Sequence, residues 1–278
     1  MVVFLALVAA LVSGSADYLG GRASSTHSAL HVGFVSQATN LLTLPLFALL
    51  IGWHRLHHGD VVLGLAGGVC GGAAYVVFFR ALAAGRMSVV APLAALTTAL
   101  VPVTADLLAG VSLPGGRWAG VALALVAIPA LAFRRDEGVG SMTLRGEVAS
   151  ALVAGAGFAG FFMAIGHTST DSGQWPVVFA AAGGTVTVGL ACASQGVVVR
   201  RRPPRLAVIS GVCMAASGLA INHALQVGPI AVATVLGSLY PLATTALANR
   251  FDHEPIGRIN LLGVALAVAG ASLIAVYR

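Results

Sequence analysis

Ten apolar runs, each near the length that crosses a bilayer, follow one another with only short polar or helix-breaking links between them. They cover about 2–23, 30–52, 61–84, 87–110, 116–133, 147–166, 175–199, 206–226, 229–249 and 259–277. A spanning helix takes about 20 residues, so a chain of 278 accommodates ten spans and little else. Only 9% of the residues are charged, where soluble domains carry roughly 25%. A cytosolic enzyme, a nucleic-acid-binding module and a disordered scaffold are excluded on these grounds. The runs are continuous rather than alternating, which argues against a β-barrel.

The links carry what polarity there is: His54-Arg55-Leu56-His57-His58-Gly59-Asp60, Arg134-Arg135-Asp136-Glu137-Gly138 and Arg200-Arg201-Arg202-Pro203-Pro204-Arg205. Gly85-Arg86 and Gly228-Pro229 are so short that the helices they join must be antiparallel neighbours. All fifteen basic residues are Arg, which removes any lysine chemistry such as a retinal or pyridoxal Schiff base. The isolated arginines read as orientation signals against anionic lipid, not as a nucleic-acid footprint. Links after odd-numbered runs hold eleven arginines, from Arg22 to Arg258; the other links and the termini hold Arg55, Arg117 and Arg278. The positive-inside rule then places both termini outside. The first run has no basic residues ahead of it and is read as a helix, not a cleaved leader. Cys70, Cys192 and Cys213 lie inside apolar runs and read as packed residues. The cluster His54, His57, His58 and Asp60 has no metal-site spacing and reads as a solvated loop.

The chain repeats itself at an offset of 143 residues. Gly68-Val69-Cys70 returns as Gly211-Val212-Cys213, Ala81-Leu82 with Gly85 as Ala224-Leu225 with Gly228, and Gly120-Val121-Ala122-Leu123-Ala124 as Gly263-Val264-Ala265-Leu266-Ala267. Three matches in one register point to a duplication, with halves at 1–138 and 139–278. Five helices per half is an odd number, so the second half enters the membrane from the opposite side. Such inverted repeats are built to alternate access to a central site.

The same residues resemble a known family. Phe79-Arg80-Ala81-Leu82 with Gly85, its counterpart His223-Ala224-Leu225 with Gly228, and Leu239-Tyr240-Pro241 leading through Arg250 to His253-Glu254 and Gly263 are similar to two EamA domains of the drug/metabolite transporter superfamily. Ser13-Gly14-Ser15 resembles the family's small-residue turn, with Ser13 where a Trp is usual. The first half departs from the pattern: Val111 stands opposite Glu254 and Thr98 opposite Pro241. The resemblance implies transport of amino acids, aromatic compounds or other metabolites, mostly as export, and a loop-stabilising role for Glu254. It more often implies termini inside, against the charge count.

Polar residues placed inside the runs are the candidate site. Asp17, the one carboxylate of the first helix, shares a face with Ser13 and is read as an ion or substrate group, since a charge at mid-span costs at least about 2.5 kcal/mol. Asp106 and Arg80 lie near helix ends, where snorkelling competes with a site role. His223, beside Asn222, is the repeat counterpart of Arg80, and the two are weighed as a pair facing one cavity. Gln37, Asn40, Tyr75, Ser238 and Tyr240 are further lining candidates, for which hydrogen bonding between helices is the competing account. The 35 glycines, with Gly64, Gly68 and Gly72 on one helix face and Gly116 with Gly120 on another, read as close helix packing.

The expected protein is therefore an all-α integral membrane protein of ten transmembrane helices in two inverted five-helix repeats. It is expected to be a secondary transporter of small organic metabolites, amino acids or related compounds, in a bacterial cell membrane, working by alternating access in the direction of export, with uptake or facilitated exchange as the alternative. A membrane-embedded enzyme or scaffold is the contrasting class. No nucleotide-binding motif, metal motif or catalytic elbow is present, so no cofactor and no enzymatic activity are expected, and the partners are a small-molecule substrate, lipid and protons.

Overall fold

The computed structural model describes residues 1–51, 55–84, 87–111, 113–132, 142–197, 203–253 and 256–277. Among these, every regular element is helical: α1 (Val2–Ser24), α2 (Ala29–Ile51), α3 (His58–Ala84), α4 (Met87–Leu108), α5 (Gly115–Ala132), α6 (Leu144–Gly166), α7 (Trp175–Ser194), α8 (Arg205–Val227), α9 (Ile230–Gly237), α10 (Pro241–Asp252) and α11 (Arg258–Val276). A single 3₁₀ turn, Thr170–Ser172, lies between α6 and α7. Nine segments are long and apolar enough to cross a membrane, with α9 and α10 together making one of them. The tenth is α5, whose 18 residues rise about 27 Å at about 1.5 Å each, slightly less than a hydrocarbon core of about 30 Å.

The ninth segment, expected as one run over 229–249, is a correction: it is broken at Ser238–Tyr240. Pro241 is the physical reason. It has no N–H to offer the Gly237 carbonyl four residues back, and its ring crowds that carbonyl. The backbone turns instead, with Leu239 N–H donating to Leu236 O (3.2 Å) and Ala243 N–H to Tyr240 O (3.1 Å). In the first half Thr98 occupies the counterpart position. Its hydroxyl bonds Ala94 O at 2.8 Å within a helix that runs on unbroken.

Helix directions follow from which residues meet. Between α1 and α8, Ser210 Oγ donates to Ala16 O (2.8 Å) and Ser217 Oγ to Ala9 O (2.9 Å), so the two run antiparallel. On α3, Gly64, Gly68 and Gly72 meet Pro176, Ala180 and Gly184 of α7 in rising order, which makes that pair parallel. Gly67 and Gly157 show α3 antiparallel to α6, and Gly116, Gly120 and Gly263 show α5 antiparallel to α11. Thr185 Oγ1 to Gln37 O (3.0 Å) and Cys192 to Leu30 O (3.4 Å) make α2 and α7 antiparallel. A shift of 143 residues carries the end of α3 at Ala84 to the end of α8 at Val227, and the start of α4 at Met87 to the start of α9 at Ile230.

Packing is made by small residues. Ala6, Ala124, Ala127, Ala215, Ala224 and Ala231 are fully buried, while large aliphatics such as Leu50, Leu108 and Val276 point outward. That is the inside-out distribution of a chain solvated by lipid, where helices associate through close contact, not hydrophobic exclusion. At Gly68 a side-chain carbon would run into the Ala180 backbone. Gly68→Leu should therefore destabilise the α3–α7 seam by roughly 1–3 kcal/mol or more. Gly59→Ala, which has nothing near the added carbon, should be close to neutral. Thermal unfolding of both variants in detergent checks this.

Candidate functional site

The break between α9 and α10 sits where α1 is thinnest. Gly14 lies directly against Tyr240 O, Ala243 and Thr244, so any side chain there would collide with backbone. Thr244 Oγ1 donates to Gly14 O at 3.1 Å, across the same contact. All of α9 from Ala231 to Gly237 is buried, with Ser238 and Leu239 following. Within it, Thr234 and Ser238 are one turn apart, and both hydroxyls lack a described hydrogen-bond partner. Orphaned hydroxyls beside a broken helix give this level of the bundle uncommitted hydrogen-bonding capacity.

Asp17 lies one turn beyond Gly14. Its helix neighbours Ala16 and Tyr18 are buried, yet Asp17 itself is exposed to a water-sized probe while deep inside the protein. It is therefore an accessible carboxylate with helices packed around it. Tyr75 of α3 and Tyr240 at the break are both near enough to feel its charge. Tyr75 is seated against Gly33 of α2, where a side chain would overlap its ring, and stacks on Phe79 with ring centres 4.2 Å apart. The three predicted residues Asp17, Tyr75 and Tyr240 thus stand in one region, with Asp17 of α1 in electrostatic range of Tyr75 on α3 and of Tyr240 at the break. A carboxylate near two phenols can hold a proton or face a cation, and the rings supply flat apolar surface for a small organic molecule.

Other candidates go elsewhere. Gln37 lies in the α2–α7 seam, its amide beside Gly184. Asn40, one turn on, is buried with Oδ1 lacking a described partner. Asp106 is buried and accepts from Ala231 N–H at 2.8 Å, capping the start of α9. Arg80 is exposed on the face it shares with Val62, Val69 and Ala73, the outward stripe of α3, where its stem can carry the charge to the headgroups. Its repeat counterpart His223 is near the end of α8. Because α3 parallels α7, α7 opposes α2, and α2 parallels α8, with Ser36 Oγ donating to Ala207 O at 2.9 Å and Gly211 against Thr39, the two residues sit at opposite ends of the bundle. The pairing of Arg80 with His223 in one cavity is therefore corrected: inversion sends equivalent positions to opposite faces.

Asn222 is fully buried, and its Nδ2 donates to Gly173 O and Gln174 Oε1, both at 2.9 Å. Gln226 donates to Gly173 O at 2.8 Å. On the other side of the same loop, Asp60 accepts from Ser172 Oγ (2.6 Å) and from Ser169 N–H (3.1 Å). Asp60 was expected in a solvated loop; it is buried and bonded instead. A hydrogen bond to a charged group contributes about 1.5–3 kcal/mol. His57 reaches Asp171 at 3.9 Å, His54 lies outside the described residues, and no metal-holding group occurs among the described ones. Glu254 also lies outside them.

The sequence profile of the EamA-like transporter family matches residues 1–132 and again 146–276. The chain belongs to the EamA-like transporter family. Family membership and the apolar spans make it an integral membrane protein of a transporter family. One solved crystal structure superposes with a TM-score of 0.78 over 99% of this chain and 96% of the other at 17% identity, a likeness of fold. No curated protein matches the sequence significantly.

Sequence reading missed the break in the ninth span, although Tyr240-Pro241 carried the signal, and it missed Asp60 and the 167–174 loop. Asp106→Ala removes the cap on a buried N–H and should cost about 1–3 kcal/mol in detergent unfolding, with Asp106→Asn losing less.

Proposed function

We propose that this EamA-like protein is a secondary transporter that exports small organic metabolites from a bacterial cell by alternating access. The observation that carries the reading is Asp17, accessible among packed helices and in electrostatic range of Tyr75 of the first half and of Tyr240 at the break in the second. A site shared by two halves at a discontinuous helix is the arrangement by which repeat-built carriers bind near the midplane. The opposed directions of α3 and α8, and of α5 and α11, support two inverted repeats, drawn here at 1–138 and 139–278. Symmetry of this kind serves two alternating openings and has no evident use in catalysis, so the reading is a carrier and not an enzyme.

Asp17 is the coupling residue in this reading: it takes a proton or the cationic part of a substrate at one face and gives it up at the other. In proteoliposomes, a panel of amino acids, aromatic metabolites and organic cations should include a solute that moves saturably and unchanged. Asp17→Asn keeps the shape and removes the titration. The variant should lose accumulation against a gradient and the pH dependence of flux while still folding. Unchanged pH dependence in a well-folded variant would leave Asp17 a structural residue, and chemical conversion of the solute would sink the carrier.

The arginine-rich ends at Arg22, Arg145, Arg205, Arg250 and Arg258 support an orientation with both termini outside. A C-terminal reporter that is active only in the cytoplasm should then be silent, and a bright one reverses the orientation.

A further inference from the structure

We propose that the polar network around the 167–174 loop is a lock that shuts the transport path at the face holding the termini. We infer further that the opposite, arginine-rich face carries no counterpart of these bonds at the repeat-equivalent positions, so the resting protein stands open there. The proposal rests on the transport reading above and adds which way the path faces and what holds it.

The face of α1 that carries Asp17 shows both ends of the path. Toward the arginine-rich end the next residue on that face is Gly21, exposed, with no atom within 4 Å of where a side chain would begin. Ser24 and Ser25 follow at the helix end, half-buried and exposed. Toward the termini, the same face passes Ser13 and then Ala9, Ala6 and Val2, which are buried. Along this face of α1 the residues beyond Asp17 are therefore accessible toward the arginine-rich end and buried toward the termini.

At the buried end, one loop is gripped from two sides. Asp60 of α3, in the first half, holds Ser172 and Ser169. Asn222 and Gln226 of α8 hold Gly173 and Gln174. Ser172 Oγ also accepts from His57 N–H at 3.4 Å, fastening the chain ahead of α3. Asp60, Ser172, Gln174 and Asn222 are all buried, so water does not compete for these bonds.

The repeat shows what the other face has in its place. The 143-residue offset that aligns the helix ends takes Asp60 to Pro203, Ser172 to Ala29, Asn222 to Phe79 and Gln226 to Ala83. None of these four has a side chain that can form the corresponding hydrogen bond. In an inverted-repeat carrier the second state exchanges the roles of the halves. Opening the termini face gives up the whole network, and closing the arginine-rich face regains no bond from the repeat-equivalent side chains Pro203, Ala29, Phe79 and Ala83. The inequality of the halves sets the resting state.

The test uses the full chain with Cys70, Cys192 and Cys213 replaced, carrying one reporter cysteine and labelled by a membrane-impermeant maleimide in vesicles of each sidedness. Ser25→Cys, exposed at the arginine-rich end, identifies which vesicles present that face. Gly21→Cys should react from that side, and Ser13→Cys should be shielded from the termini side. Asp60→Asn or Ser172→Ala should raise termini-side labelling of Ser13→Cys by about tenfold, the population shift expected from losing one strong hydrogen bond. Gln226→Ala, half-buried and milder, serves if either variant fails to unfold cooperatively. Equal reactivity of Ser13→Cys from both sides in the otherwise intact protein overturns the proposal. So does unchanged sidedness in all the lock variants that fold. Flux is scored separately: a sidedness shift without any solute movement upholds the lock and counts against the transport reading.

Discussion

The bundle depends on backbone-to-backbone contact at glycine and alanine. Lipid tails are as apolar as any side chain, so helices in a membrane gain little by hiding hydrophobic surface from one another. What holds them is close approach, and close approach needs the absence of a side chain. Gly64, Gly68 and Gly72 lay α3 along α7, while Gly120 and Gly270 let α5 and α11 touch at their backbones. Gly14 does the same for α1 against the broken ninth span. The last contact differs in kind, because it brings a helix one turn from Asp17 against backbone that Pro241 has prevented from closing into a helix.

That contact sets the chemistry of the interior. Most polar groups in the spans are spent on holding the bundle: Thr98, Thr185, Ser210 and Ser217 each bond a carbonyl, and Asp106 caps α9. Asp17, Ser238 and Thr234 are different, since the first is accessible and the other two have no described partner. A membrane protein tolerates an ionisable group in its interior where water or a substrate can reach it. The proposed site lies where the hydrogen-bonding inventory of the described residues does not close.

The two halves share an architecture without sharing its details. α4 runs whole through Thr98 where its counterpart is broken at Pro241, and Asp60 with Asn222 ties one loop where Pro203 and Phe79 stand at the other end. Duplication supplies two equivalent scaffolds, and substitution then makes the site and its two faces unequal. At the arginine-rich end, Arg22 bridges Asp252 at 3.1 Å and bonds Tyr18 at 2.8 Å, which extends the α1–α10 seam to the surface. Both partners are well exposed, and a pair of that kind contributes about 0–1 kcal/mol, so it trims the seam and does not hold it.

The order of apolar runs, the 143-residue repeat and the glycine spacing were legible without coordinates, because hydropathy and helical period are local properties that each segment carries by itself. They gave the membrane, the ten segments and the small-residue faces. Asp17 stood out in the same way as a candidate, since a lone carboxylate in an apolar run is costly wherever the helix packs. Its neighbours Tyr75 and Tyr240, the outward turn of Arg80 and the separation of Arg80 from His223 depend on which helices meet and in which direction. The same holds for Asp60, which by sequence sits in a polar link and by structure is buried against a loop more than a hundred residues away. Tertiary structure decided these because a side chain's partners are chosen by packing, and packing joins segments that sequence keeps apart.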